Sequence, residues 1–177
     1  IILVERPDHL CSSATSTDDL IEYVPSIMPE GHILWTHVTS PFIDSELYDA
    51  AVKTYLRNLS SYDSLMSVTK FQKFLWNDAG PVNYCKAEEK WPRTQTIVPL
   101  WEVNSGLFIA ARHIYESHKD RIGANPYLFE MFEDVSLDID WEPDFNLAEV
   151  LFGSLKLSVG HESLGSRCGH VTADTRP

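Results

Sequence analysis

Positive charge and long apolar runs are both scarce in this chain of 177 residues. Its formal net charge is −12, which argues against a general binder of nucleic acid or of anionic membranes, because both need positive charge facing phosphate groups. No apolar run approaches the roughly 20 residues of a membrane span. We therefore expect neither nucleic acid nor a membrane among the partners.

Cysteine is also scarce, with only Cys11, Cys85 and Cys168. An odd, widely spaced trio is neither a disulfide framework nor a zinc motif, so it indicates a reducing, cytoplasmic location. The first residues, Ile1 to Pro7, are too short and wrongly flanked for a signal peptide. The chain has no initiator methionine, from which we expect that its beginning is missing or was removed.

Strand patterns alternate with helix patterns along the chain, which predicts one α/β domain with a mostly parallel sheet. We expect strands at 1–4, 32–38, 62–69, 102–110 and 127–131, and helices near 17–28, from 44 and over 111–118. Ser16 and Asp19 have the spacing of a capping box before the first helix. After Phe152 the sequence becomes rich in Gly, Ser, Thr and His, so we expect 153–177 to be a loosely ordered polar tail.

Two aspartates two residues apart, Asp138 and Asp140, lie in the segment 136–145. Residues two apart in an extended segment point to the same side, so the two carboxylates would meet while Leu137, Ile139 and Trp141 face a core. Oxygen ligands with room for water and phosphate suit Mg²⁺. A solvated acidic pair is the plain alternative, and a calcium loop fits poorly because its glycine and terminal glutamate are missing.

Several short motifs follow one another in an order that resembles a known family. They are Arg6-Pro7, the strand that runs into Thr39-Ser40-Pro41, the strand Tyr62 to Thr69, Pro92-Arg93-x-Gln95, Asn104-x-Gly106, and Ser136-x-Asp138-x-Asp140 before a closing helix. Over residues 3–152 the chain resembles the acylneuraminate cytidylyltransferases, which make CMP-activated sialic acids and related nonulosonic acids.

The resemblance implies a doubly wound α/β sheet of the nucleotide-diphospho-sugar transferase type and a homodimer. It implies an enzyme that transfers CMP from CTP to a nonulosonic acid, with Mg²⁺ as cofactor and with CTP and an acidic sugar as partners. By resemblance, Arg6, Thr39 and Ser40 bind the nucleotide. Arg93, Asn104 and Phe108 bind the sugar, and Asp138 and Asp140 hold the metal. No side chain is an obvious general base.

Each of these residues also has a plainer interpretation. Arg6 could be a surface side chain, Arg93 could pair with Glu88 or Glu89, and Phe108 could belong to the core. Thr39 and Ser40 could be only a turn with a local hydroxyl cap, and Asn104 could merely satisfy a turn.

The chain departs from the family pattern in three places. His37-Val38 stands where Gln-Pro is usual, and Glu102 stands near the place of an expected arginine, so the sugar acid need not be N-acetylneuraminate. No lysine lies in a glycine-rich turn after a strand, so the family's N-terminal phosphate-binding loop is lacking. We therefore expect 1–152 to be an N-terminally truncated cytidylyltransferase-like domain. The alternative is a non-catalytic family member that acts as a ligand-binding or dimerising module.

Overall fold

The computed structural model describes residues 1–159, with side chains through residue 155. Within this part, the chain forms four α-helices, six β-strands and two short 3-10 segments, Asp8–Leu10 and Thr94–Thr96. The helices are α1 (Thr17–Ile27), α2 (Ser45–Asn58), α3 (Arg112–His118) and α4 (Glu142–Val159). The strands are β1 (His32–Thr36), β2 (Ser64–Phe71), β3 (Trp76–Asn77), β4 (Gly80–Pro81), β5 (Leu100–Ala111) and β6 (Pro126–Met131).

The main sheet has four strands in the order β1-β5-β2-β6. β5 pairs antiparallel with both β1 and β2, whereas β6 pairs parallel with β2. Three of the four strands, β1, β2 and β6, therefore point the same way, and β5 alone runs against them. The mostly parallel sheet is confirmed in that sense, with one reversed strand that the sequence did not predict.

Helices cover both faces of this sheet, as the doubly wound arrangement requires. On one face, Ile21 of α1 and Ile114 and Tyr115 of α3 pack with Ile33 and Ala110 of the sheet. On the other face, α2 packs against a second buried cluster, formed by Ala51, Tyr55, Leu65, Leu107 and Ile109. The helix-over-sheet layers therefore follow from the alternation of side-chain direction along β1, β2 and β5.

Local sequence signals fix where the first two helices begin. Ser16 accepts the backbone N–H of Asp19 while the Asp19 carboxylate accepts the Ser16 N–H, so the predicted capping box is confirmed. At the start of α2, the Asp44 carboxylate accepts the backbone N–H of Leu47. Each cap satisfies a donor that the helix itself cannot pair.

Contact clustering divides the chain into two compact units, Ile1–Asp138 and Ile139–Pro177. The second unit contains α4, in which Pro143 occupies the first turn, where a missing backbone N–H costs no helical hydrogen bond. α4 extends to Val159 and so includes the first residues of the segment 153–177 that we expect to be a polar tail. The rest of the predicted tail, 160–177, lies outside the described residues.

Two expectations about local structure are wrong. Residues 1–4 form no strand and their side chains are exposed, because no neighbouring strand in residues 1–159 pairs with them. The segment 136–140 has no regular hydrogen bonding, and Trp141 is 76% exposed rather than facing a core. None of the helices in residues 1–159 has the length and apolar character needed to span a bilayer.

Candidate functional site at the carboxyl edge of the sheet

The carboxyl ends of β1, β2 and β6 lie at one edge of the sheet, because these three strands point the same way. His37 and Ser40 follow β1 directly, and Ser136 and Asp138 follow β6. β5 runs in the opposite direction, so it begins at this edge with Leu100 and reaches Asn104 four residues later. Ligands of open α/β sheets bind outside the carboxyl ends of the strands, so this edge is the candidate site.

A bulge in β5 places Asn104 inside the sheet. Met66 pairs with Phe108 and Val68 pairs with Val103, so a single residue of β2, Ser67, faces the four residues 104–107. Ser105 adopts a left-handed backbone with a φ of 57°, which an ordinary side chain seldom takes. Bulges and strained residues of this kind concentrate next to functional sites.

The Asn104 amide is the centre of what we call the closed network, which consists of Ser67, Thr69, Asn104 and Ser136. Asn104 Oδ1 accepts from Ser67 Oγ at 2.6 Å and from the Gly106 N–H at 3.2 Å. Its Nδ2 donates to Thr69 Oγ1 at 2.9 Å. Thr69 Oγ1 in turn donates to Ser136 Oγ at 3.0 Å, and Ser67 Oγ accepts the Leu107 N–H at 2.9 Å. The network therefore ties β2, β5 and the segment after β6 together.

Gly106 lets the bulge close. A Cβ at this position would lie 2.6 Å from Ile43 Cδ1 and 3.3 Å from Ser67 Oγ, so a side chain there would press on the core and on the closed network. The absence of a side chain at Gly106 therefore allows neighbouring side chains to approach the backbone closely.

Beside the closed network lies an open cluster, which we define as Trp35, His37, Ser40, Phe108, Tyr115, Arg121 and Asp138. Within the described residues, three buried side-chain atoms have no hydrogen-bond partner in the protein: Ser40 Oγ, Tyr115 Oη and Asp138 Oδ1. The Ser40 backbone N–H donates to the His37 carbonyl oxygen, Asp138 interacts electrostatically with His37, and Tyr115 does so with Arg121. Native proteins leave few buried polar atoms unpaired, so three in one cluster call for a ligand or an ion.

Aromatic rings form the floor of the open cluster. Trp35 stacks on Tyr115 with 6.4 Å between ring centroids, and the His37 ring meets the edge of Phe108 at the same separation. The Arg121 guanidinium lies 3.7 Å above the centroid of the Phe108 ring. Trp35 and Phe108 are directly opposite one another on β1 and β5, which explains why they share a face.

His37 accepts two hydrogen bonds on one ring nitrogen. Arg121 Nη1 donates to its Nε2 at 2.9 Å, and Trp35 Nε1 donates to the same atom at 3.1 Å. Two donors on Nε2 require that this nitrogen be unprotonated, so the network assigns the neutral ring with its proton on Nδ1. Burial and the Arg121 charge lower the pKa of His37, and the Asp138 carboxylate only partly opposes them.

Two other groups of the cluster have shifted pKa values. Burial raises the pKa of the Tyr115 phenol well above its usual value, so the hydroxyl keeps its proton and can donate it to a ligand. Burial lowers the pKa of Arg121, whose side chain is half-buried. A guanidinium still stays protonated in proteins, so Arg121 keeps its positive charge.

The residues predicted to bind a nucleotide are placed differently. Ser40 is 5% exposed and belongs to the open cluster, and Thr39 precedes it at the end of β1. Arg6 is exposed and donates to the Leu10 carbonyl oxygen at 3.5 Å, a local contact. The structure thus brings Ser40 and Thr39 to the carboxyl edge, and gives Arg6 no contact with the open cluster.

The residues predicted to bind a sugar are also divided. Phe108 is 2% exposed and supports the Arg121 guanidinium, and Asn104 is occupied by the closed network. Arg93 is exposed and directly precedes a 3-10 turn, Thr94–Thr96. A cavity of about 340 Å³ lies beside this turn, but Glu88 and Glu89 line it and no cation does, so it does not suit an acidic ligand.

The two predicted metal ligands fall in different units. Asp138 is the last residue of the first unit, and its Oδ1 is buried without a partner. Asp140 is exposed in the second unit, where its backbone N–H donates to Asp144. Within residues 1–159 no group of three or more His, Cys, Asp or Glu side chains could hold a metal ion. The paired role of Asp138 and Asp140 stays a prediction.

The sequence analysis missed His37, Tyr115 and Arg121 as site residues. His37 was noted only as a departure from a motif, although it lies two residues after Trp35, the spacing that places two side chains on the same side of an extended segment. Arg121 lies in a loop after α3 without periodicity or motif, so only the folded chain shows that it reaches His37.

Comparisons with known proteins agree with the resemblance seen in the motifs. No protein-family model matches this chain. It is 24% identical over 149 residues to an N-acylneuraminate cytidylyltransferase from Streptococcus agalactiae serotype III, which covers 81% of this chain and 36% of that protein. It is 29% identical over 149 residues to an N-acylneuraminate cytidylyltransferase from Escherichia coli O18:K1:H7. That match covers 81% of this chain and 35% of the relative. The chain therefore spans about a third of these relatives.

A solved structure supports the fold. The crystal structure of a 4-diphosphocytidyl-2C-methyl-D-erythritol synthase from Anaerococcus prevotii superposes with a TM-score of 0.54 at 12% identity, over 79% of this chain and 68% of the other. The chain is thus a distant relative, at 24 to 29% identity, of proteins named N-acylneuraminate cytidylyltransferase, and the structural similarity supports the nucleotide-diphospho-sugar transferase fold.

Proposed function

We propose that this chain belongs to a cytidylyltransferase that transfers CMP from CTP to a nonulosonic acid and releases pyrophosphate. The observation that carries the proposal is the gathering of three unpartnered buried polar atoms in the open cluster, beside the carboxyl edge of the sheet. Ligand sites of open α/β folds lie at this edge, and the distant relatives are named for this reaction.

Asp138 fits the metal that such a reaction uses. A buried carboxylate oxygen without a hydrogen bond is costly unless a cation compensates it. Mg²⁺ is commonly held by one or two carboxylates together with substrate phosphates, so Asp138 suffices as a protein ligand. When bound, Mg²⁺ neutralises charge on the phosphates. Asp140 as a second ligand is part of the proposal.

Ser40 and Thr39 are proposed to contact the nucleotide. The Ser40 hydroxyl is buried and makes no hydrogen bond within the described residues, so it can donate to a ligand oxygen without losing a protein contact. Arg6 is also proposed to lie near the nucleotide, as the resemblance implies, and its weak 3.5 Å contact with the Leu10 carbonyl would be easily exchanged.

The sugar is proposed to bind near Phe108, with Arg93 and Asn104 as further contacts. In the reaction, the anomeric hydroxyl oxygen of the sugar forms a bond to the α-phosphorus of CTP. The bond between that phosphorus and the oxygen bridging to the β-phosphorus breaks. Pyrophosphate leaves, and the hydroxyl proton is released to solvent. His37 Nε2 already accepts two hydrogen bonds, so it is not free to take that proton. We assign no general base. We also propose that the protein is cytoplasmic and forms a homodimer. Light scattering of the purified protein would test the homodimer through its molar mass.

Isothermal titration with CTP and with CMP, each with and without Mg²⁺, tests the proposal. We expect CTP to bind only with Mg²⁺, and Asp138→Asn to weaken that binding about ten- to hundredfold, the equivalent of one charge-assisted contact. Asp78→Asn makes the same chemical change in an exposed turn and should bind like the unaltered chain.

Three outcomes distinguish the functions. Magnesium-dependent CTP binding that needs Asp138 supports the enzyme. Binding that is the same in Asp138→Asn refutes the metal role of that residue. A folded chain, verified by circular dichroism, that binds neither nucleotide refutes the enzyme for these residues and leaves the non-catalytic module.

A further inference from the structure

Arg121 is a half-buried cation without an acidic partner. Within residues 1–159 no carboxylate lies within 4.0 Å of its guanidinium, although four such ion pairs occur elsewhere. Asp120, its neighbour in the chain, uses Oδ1 to accept the backbone N–H groups of Arg121 and Ile122. Buried charges are normally paired, so this arrangement needs an explanation.

The side chains in contact with the Arg121 guanidinium are uncharged. Its face rests on the Phe108 ring, and the Trp35 ring centroid is 5.6 Å away. Its hydrogen bond to His37 goes to a nitrogen that must be unprotonated, because Trp35 donates to the same atom. These contacts hold the guanidinium in one place, and of the nearby carboxylates only that of Asp120 stabilises its charge, from beyond ion-pair distance.

Most of its hydrogen-bonding capacity is also unused. A guanidinium has five N–H donors in a planar fork, and only the donor at Nη1 has a partner within the described residues. A planar fork held on a ring directs its remaining donors sideways, and it matches the two oxygens of a carboxylate. The unpartnered Tyr115 hydroxyl, fully buried and stacked on Trp35, offers another donor in the same cluster.

We propose that Arg121 binds an oxyanion of the ligand, and that this oxyanion is the carboxylate of an acidic sugar. The assignment rests on the proposed function. Arg121 is the only lysine or arginine of the open cluster, and one positive charge balances a monoanion but not a triphosphate. The phosphate of the nucleotide is the other source of an oxyanion, and the experiment separates the two.

The test is titration of the chain with N-acetylneuraminate, its uncharged methyl ester and CMP. The variants are Arg121→Gln, Arg121→Lys and the control Arg57→Gln, which alters a residue in the last turn of α2. We expect Arg121→Gln to weaken binding of the acid about ten- to hundredfold, with a smaller loss for Arg121→Lys because a point charge remains. The ester should bind the unaltered chain as weakly as the acid binds Arg121→Gln, and should not respond to that substitution.

Every outcome decides the proposal. If the ester binds the unaltered chain as tightly as the acid, the carboxylate is not recognised, and this arm needs no variant to fold. If Arg121→Gln weakens CMP as much as the acid, Arg121 binds phosphate and the sugar assignment is wrong. If CTP binds with Mg²⁺ but the acid does not bind, this inference fails and the proposed function survives. If no ligand binds, both fail.

Discussion

The closed network and the open cluster adjoin each other, but they satisfy their polar atoms differently. In the closed network the Asn104 amide and the hydroxyls of Ser67 and Thr69 all find partners at 2.6 to 3.2 Å. In the open cluster Ser40, Tyr115 and Asp138 each bury an atom that has none. The closed network fixes the β5 bulge. The open cluster leaves donors and acceptors that a ligand or an ion can pair with. The contrast predicts that substitutions in the closed network affect folding, whereas those in the open cluster affect binding.

The largest effect on stability should come from Asn104→Ala. The substitution removes the acceptor of Ser67 and of the Gly106 N–H and the donor to Thr69, all of them buried. Buried groups left without partners cost about 1–3 kcal/mol each, so we expect a loss of about 2–4 kcal/mol in the free energy of unfolding.

Urea denaturation measures this loss. The matched control is Asn58→Ala, since that amide donates to a single backbone carbonyl, of Thr54, and its removal should cost under about 1 kcal/mol. If both variants unfold at the same urea concentration, Asn104 is not the centre of a stabilising network.

A smaller, pH-dependent effect is expected from Asp63 at the amino end of β2. Burial raises the pKa of its carboxyl, but hydrogen bonds from Ser64, Asn125 and Ala124 outweigh burial and lower the pKa overall. The carboxylate therefore contributes stability above its unfolded pKa of about 3.9, and this is lost as the pH falls through the folded pKa.

Asp63→Asn should remove about 1 kcal/mol at neutral pH and flatten the acid side of the stability curve. Urea midpoints at pH 7, 5, 4 and 3 measure both. This network is closed like that of Asn104, with Ser64 Oγ donating to Asp63 at 2.8 Å and accepting the Gly123 N–H at 2.9 Å. A steeper acid limb in the variant than in the unaltered chain would contradict the assignment.

The smallest effect should come from Tyr115→Phe in the open cluster. The substitution deletes a buried hydroxyl that has no partner within the described residues and keeps the ring that stacks on Trp35. Removing an unsatisfied group without changing the shape of the side chain is nearly neutral, so we expect a change below about 0.5 kcal/mol in the absence of ligand. Thermal unfolding measures it, and a loss near that of Asn104→Ala would show that the hydroxyl is part of the fold.

How much could be predicted from the sequence differs between these two groups of residues. Helix starts such as Ser16 with Asp19 were predictable, because a cap depends on residues three apart in the chain. Asn104 and Phe108 were identified from motifs, but the role of Asn104 depends on a bulge opposite Ser67, which no local pattern indicates. The strand predicted at residues 1–4 failed because a strand needs a partner and not only apolar side chains.

The open cluster shows the limit more clearly. His37 and Arg121 are 84 residues apart in the chain and meet through a single hydrogen bond across the surface of the sheet. Neither has a motif, and an isolated arginine in a loop gives no periodic signal. Their meeting is a consequence of where α3 ends relative to β1, which only tertiary packing determines.

The most direct test of the claim that the open cluster is a ligand site is the thermal midpoint with and without CTP and Mg²⁺. It is measured for the unaltered chain, Asp138→Asn and Asp78→Asn. We expect all three proteins to unfold at similar temperatures without ligand. CTP with Mg²⁺ should raise the thermal midpoint of the unaltered chain and of Asp78→Asn, but not that of Asp138→Asn. An Asp138→Asn variant that is stabilised as much as the other two would contradict it.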